Sequence, residues 1–151
     1  MASTFTVERS RVIAASPETI APLIADLRAW QRWSPWEGID PDLQREYSGA
    51  ESGAGAEYHW KGNKKAGEGH MTVTAAEPRR VEIRIDFLTP FKSTNHSVFT
   101  LTPEGDGTKV VWSMTGPRPL LMRLFSILIN PEKFVGPDFE KGLASLDELV
   151  A

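Results

Sequence analysis

The spacing of apolar residues changes once along this chain, and that change limits the folds open to it. From Ala56 to Gly116 apolar and polar residues alternate in successive short runs; from Pro119 to the end the spacing is helical. Arg80–Leu88 is the clearest run. Val81, Ile83, Ile85 and Phe87 share one face, and Glu82, Arg84 and Asp86 share the other. Ala56–Lys61 sets Tyr58 and Trp60 opposite Glu57, His59 and Lys61, and Gly67–Ala76 sets Met71 and Val73 opposite His70 and Thr72. Ser93–Thr102 and Thr108–Thr115 flank Pro103-Glu-Gly-Asp-Gly107, a run of turn formers that predicts a hairpin. Strands joined by connections this short pair antiparallel. Each has one apolar face, so the sheet needs a cover. The last segment supplies one: Phe139, Leu143, Leu146 and Val150 make a single helical stripe. Pro131 and Gly136-Pro137 predict a shorter helix near 119–129, an irregular joint and a longer helix near 137–150.

Before the sheet, Phe5–Ala14 reads as a strand. Ser16-Pro17 then starts a helix, with Ser16 as cap and Pro17 at the first helical position, where its missing N–H costs nothing. Ile20, Leu23, Ile24 and Leu27 continue at helical spacing, and Pro22 predicts a kink or a break into two short helices. Trp30, Trp33 and Trp36 follow at intervals of three, and Ser34-Pro35 ends the helical stretch. The three rings read either as a core plug beneath a loop or as the wall or gate of a pocket. Asp40–Tyr47 reads as a loop and short strand, and Gly49–Gly55 as a turn or mobile loop.

A chain of 151 residues predicts one domain, 1–151, large enough to fold without staples. It has no cysteine, which excludes disulfides, thiolate catalysis and Cys-based metal sites. The net charge of −3 argues against a nucleic-acid partner, and Lys61, Lys64 and Lys65 read as a solvated hairpin loop. Met1–Val7 lacks the pattern of a signal peptide. The longest apolar stretch, Leu120–Ile129, is interrupted by Arg123 and Ser126 and is half the length a spanning helix needs. The expectations are therefore a cytoplasmic protein with no transmembrane segment, no metal and no cofactor, as a monomer or weak homodimer.

Several segments resemble a known superfamily. They are Ala14-Ala-Ser-Pro-Glu18, Trp30-Gln-Arg-Trp33-Ser-Pro-Trp36, Tyr58-His-Trp60-Lys-Gly62, Gly67-Glu-Gly69, Gly107-Thr-Lys-Val110 and Lys141-Gly-Leu-Ala-Ser-Leu146. In this order they resemble the START/Bet v 1-like (SRPBCC) superfamily, and its polyketide cyclase/dehydrase branch in particular. The resemblance implies an α+β helix-grip fold: a seven-stranded antiparallel sheet wrapped around a long C-terminal helix, with two short helices after strand 1. It also implies a cavity between sheet and helix that binds a small hydrophobic ligand: a lipid, polyketide, isoprenoid or aromatic. Two alternatives stay open: a cyclase or dehydratase using the same cavity, and a co-chaperone-like interaction module.

Strand parity turns Tyr58, Trp60, Met71, Ile83, Ile85, Phe99, Trp112 and Met114 inward. Phe125, Phe134 and Phe139 would face them from the helical side, and Trp33 and Trp36 complete the ligand-binding candidates. These side chains either line a pocket or fill a solid core. His59, His70 and His96 lie on separate strands, on the opposite face, without metal-ligand spacing. For an enzyme, Tyr58, His70, Arg84 and Asn95 are the candidates to move protons; Asn95 and Ser97 share the face of Phe99. No inward carboxylate pair, nucleophile elbow or phosphate loop is evident.

Overall fold

The structure is a computed structural model that describes residues 4–38, 40–64, 66–89, 92–117 and 131–151, excluding the side chains of 131–134. Strand β1 (Thr4–Ile13) leads into helix α1 (Pro17–Ala25) and a 3-10 helix (Leu27–Arg32). Six strands follow: β2 (Gln44–Gly49), β3 (Ala56–Lys61), β4 (Glu68–Glu77), β5 (Arg80–Thr89), β6 (Ser93–Glu104) and β7 (Gly107–Pro117). Helix α2 (Pro131–Val150) ends the chain. The described strands form one seven-stranded antiparallel sheet in the order β1-β7-β6-β5-β4-β3-β2. This is the helix-grip architecture. A meander runs from β2 to β7, and β1 closes against the last strand rather than its neighbour in sequence.

Helix α1 starts as its sequence dictates: the Ser16 hydroxyl accepts from the Thr19 N–H at 3.3 Å, and Pro17 opens the helix. The predicted break at Pro22 is displaced. The helix runs through Pro22 to Ala25 and breaks at Asp26, whose carboxylate caps the 3-10 helix by accepting from Arg28 N at 3.0 Å. Pro22 removes one early ladder bond. Tertiary contacts hold the end of the helix: the indole N–H of Trp33 donates to the Leu23 carbonyl at 2.9 Å, and that of Trp30 to the Ile24 carbonyl at 2.8 Å. A helix end leaves such carbonyls without intrahelical partners.

The C-terminal helix also differs from expectation. Among the described residues it runs from Pro131 through Gly136-Pro137 to Val150, so no joint separates 131 from 150. Burial of Phe139, Leu143 and Leu146 anchors the helix beyond Pro137. The helix predicted near 119–129 lies outside the described residues. The β6–β7 hairpin is tighter than its Pro103–Gly107 signal suggests. The strands pair out to Glu104 and Gly107, and Gly105, at φ +60°, begins a two-residue turn.

The imperfect alternation of β1 has a structural reason. Val7 and Ile13 are fully buried, while Arg9 and Arg11, of the same parity, reach α2. Arg11 Nε lies 2.9 Å from Asp147 Oδ2, and Arg9 Nε 3.7 Å from Glu140 Oε1. Beside that seam the rings pack solidly. Trp112 stacks on Phe139 at 3.9 Å between centroids and on Phe99 at 4.8 Å, and Trp30 and Trp33 meet this stack edge-on.

Candidate functional site

Among the described residues, the other half of the sheet is not filled. A cavity of about 510 Å³ lies between β2–β5, the tryptophan segment and the N-terminal half of α2. That volume is within the range of small-molecule sites. Its sheet wall is a row of aromatic rings. Tyr47 stacks on its cross-strand partner Tyr58 at 4.9 Å and 22°. Tyr58 stacks on Trp60 at 6.0 Å, and Trp60 meets Phe87 edge-on at 5.9 Å. Met71, Ile85 and Met114 form the floor, and Leu27, Trp30 and Trp36 the side.

Gly69 makes this wall possible. It lies between Trp60 and Phe87 in the same cross-strand row. A Cβ there would collide with Cη2 and Cζ2 of Trp60, so only glycine lets the indole lie across the strand. The Trp60 N–H then donates to the Ala66 carbonyl at 3.0 Å, which fixes the ring.

Among the described residues, polar groups enter this apolar cavity at few points. Glu37 and Asp138 line it, with Ser34 and the two tyrosines. Glu37 pairs with Arg45, and Asp138 accepts from the Trp36 indole N–H at 3.2 Å. Burial works against the Arg45 cation, but the hydrogen bond and charge of Glu37 outweigh it and raise the Arg45 pKa. Tyr47 accepts from the Gln31 amide at 2.6 Å and lies under the Arg28 guanidinium, 4.7 Å from its ring centre. Burial raises the Tyr47 pKa, and burial with the neighbouring Tyr47 pushes Tyr58 up to about 12. Tyr58 is therefore a neutral phenol at any physiological pH.

Of the side chains predicted to bind a ligand, Trp36, Tyr58, Trp60, Met71, Ile85 and Met114 come together around the cavity. Trp33, Ile83, Phe99, Trp112 and Phe139 do not line it; they are buried in the packed half. Phe125 and the side chain of Phe134 lie outside the described residues. Of the four proton-transfer candidates only Tyr58 faces the cavity. On the outer face His70 bonds to Glu57 at 2.9 Å, His59 to Glu68 at 2.8 Å, and Arg84 to Asp86 at 3.2 Å. Asn95 is buried, with its amide on the Ser93 hydroxyl at 3.2 Å.

Sequence reasoning missed Tyr47, Phe87, Glu37 and Asp138. Phe87 was legible, since it shares the parity of Ile83 and Ile85. Tyr47 needed the register that sets it beside Tyr58. Nothing local marks Glu37 or Asp138, which meet the cavity from a loop and a distant helix.

Among the described residues no helix is long and apolar enough to cross a membrane, and no group of three or more His, Cys, Asp or Glu side chains is arranged to hold a metal ion. No curated protein matches the sequence. Solved structures share the fold at low identity. Protein MLL2253 from Mesorhizobium loti superposes with a TM-score of 0.69 and 19% identity, over 97% of this chain and 96% of that one. The Aha1 dimer from Colwellia psychrerythraea gives 0.66 and 16%, over 95% and 94%. DynU16, from the dynemicin biosynthetic locus, gives 0.64 and 16%, over 96% of this chain and 46% of its own. The family model described as polyketide cyclase / dehydrase and lipid transport matches residues 4–151, and the chain belongs to that family.

Proposed function

We propose that this protein binds one small hydrophobic molecule in the cavity between β2–β5 and α2. The observation that carries the reading is the ring-lined void itself, about 510 Å³ in volume. Burying some 200 Å² of apolar ligand surface would contribute roughly 5 kcal/mol before ordering costs. Trp60, fixed by its bond to Ala66 and by Gly69 beneath it, offers a flat surface that needs little reordering. The family's description, which includes lipid transport, supports a carrier role.

The test is a fluorescence titration with N-phenyl-1-naphthylamine, an uncharged apolar probe, alongside native mass spectrometry of the purified protein. Saturable one-to-one enhancement is expected, with a co-purified apolar molecule in the mass spectrum. Enhancement that never saturates, with no bound species, would overturn the proposal.

A cyclase or dehydratase reading draws on one further observation. Tyr58 presents to a cavity able to fold a reactive chain a phenol whose proton burial holds more tightly. On that reading Tyr58→Phe abolishes turnover of a polyketide-type substrate while leaving its binding unchanged. Unaltered turnover would remove Tyr58 from the chemistry.

A further inference from the structure

The charges around the cavity indicate what its occupant carries. Glu37 and Asp138 are both carboxylates, but their surroundings differ. Glu37 is neutralised by Arg45, which does not itself line the cavity. Asp138 is half-buried, and among the described residues its hydrogen bond comes from the neutral Trp36 indole. Among the described residues no lysine, arginine or histidine pairs with it. The uncompensated formal charge on the described cavity wall is therefore negative. The faces of aromatic rings carry negative partial charge as well, and they attract cations.

A carboxylate ligand meets repulsion here from Asp138 and from the ring faces. An alcohol finds an acceptor. A protonated amine finds an opposite charge on a half-buried wall. We infer that the cavity selects an apolar, ring-sized molecule bearing a protonated amine, with the ammonium at Asp138 beside Trp36 and the body against the Tyr47–Tyr58–Trp60 wall. The inference rests on the binding reading above and adds the chemical class of the ligand. It separates this cavity from one that takes up free fatty acids.

Three probes with one ring system test it at pH 7: 1-naphthylmethylamine, 1-naphthalenemethanol and 1-naphthoate. Affinities come from tryptophan fluorescence and calorimetry. The amine is expected to bind most tightly and the carboxylate most weakly, with about ten-fold or more between them. In Asp138→Asn the amine should fall to within about two-fold of the alcohol, whose own affinity holds. Glu37→Gln leaves the Arg45 charge uncompensated, so naphthoate should bind better there than to the parent protein. Equal affinities, or a preference for naphthoate, would overturn the inference while the hydrophobic-binding reading stands. An amine preference that survives in Asp138→Asn would overturn the assignment to Asp138. If none of the three binds, both readings fall together.

Discussion

Single residues decide where this interior is solid and where it is hollow. Trp112 is fully buried between Phe99 and Phe139. Trp112→Ala should destabilise the protein by about 3–5 kcal/mol in urea unfolding, as ring deletions from packed cores do. Its indole N–H has no hydrogen-bond partner among the described residues, so Trp112→Phe should lose clearly less. Gly69 acts in the other half. Gly69→Ala pushes the Trp60 ring off the strand and into the cavity, and should weaken probe binding by about ten-fold or more, equivalent to ~1.4 kcal/mol. Unchanged affinity would show that the Trp60 ring is not part of the binding wall.

Tyr58 adds a pH dependence with a definite sign. Its pKa in the fold is raised to about 12, from 10.0 in the open chain, chiefly by burial. The folded state thus holds the phenolic proton more tightly than the unfolded state does. This stability contribution is complete below about pH 10 and is lost as pH climbs toward 12. Denaturation midpoints measured across that window should fall, and Tyr58→Phe should flatten the decline. Tyr47, raised in the same direction, adds to this decline.

Elements depend on one another's loose ends. Helix α1 ends on carbonyls bonded by Trp30 and Trp33, and the 3-10 helix begins on the Asp26 carboxylate. Asp26→Ala should therefore cost about 1 kcal/mol by thermal unfolding. That loss should also reduce probe affinity, since Leu27 and Trp30 border the cavity. On the far side, α2 is tied to β1 by Arg9 and Arg11 as well as by apolar burial. These ion pairs are partly exposed, so each is worth well under the packing it borders.

At the scale of the whole molecule, the meander and its covering helix divide one apolar interior into two regions. The β1–β7–β6 side closes on α2 through stacked rings, and the β2–β5 side leaves a ring-lined space. A molecule that occupies that space binds only the folded chain. At a concentration about a hundred times its Kd it should add about 2.7 kcal/mol of stability. The corresponding rise in Tm is several degrees. A probe that titrates the fluorescence but leaves Tm unmoved would be binding the unfolded chain equally well.

Much of this architecture was legible from residue order. The alternating runs from Ala56 to Gly116 specify strands, because a period of two puts every second side chain on one face. Short turns between them force antiparallel pairing. The Phe139–Leu143–Leu146 stripe identifies the helix that covers the sheet, and the quoted segments point to the family. Pro22 and Pro137 misled, because a proline removes one ladder bond and its helix survives when burial and side-chain caps outweigh the loss. The division of the rings was not legible at all. Phe99 and Met114 have the same inward parity, yet one is sealed in the stack and the other borders the cavity. Parity says which side of the sheet a residue occupies, and the distance from sheet to helix decides whether anything packs against it. That distance, and with it the meeting of Glu37 and Asp138 at one wall, arises from contacts about a hundred residues apart, which no local spacing encodes.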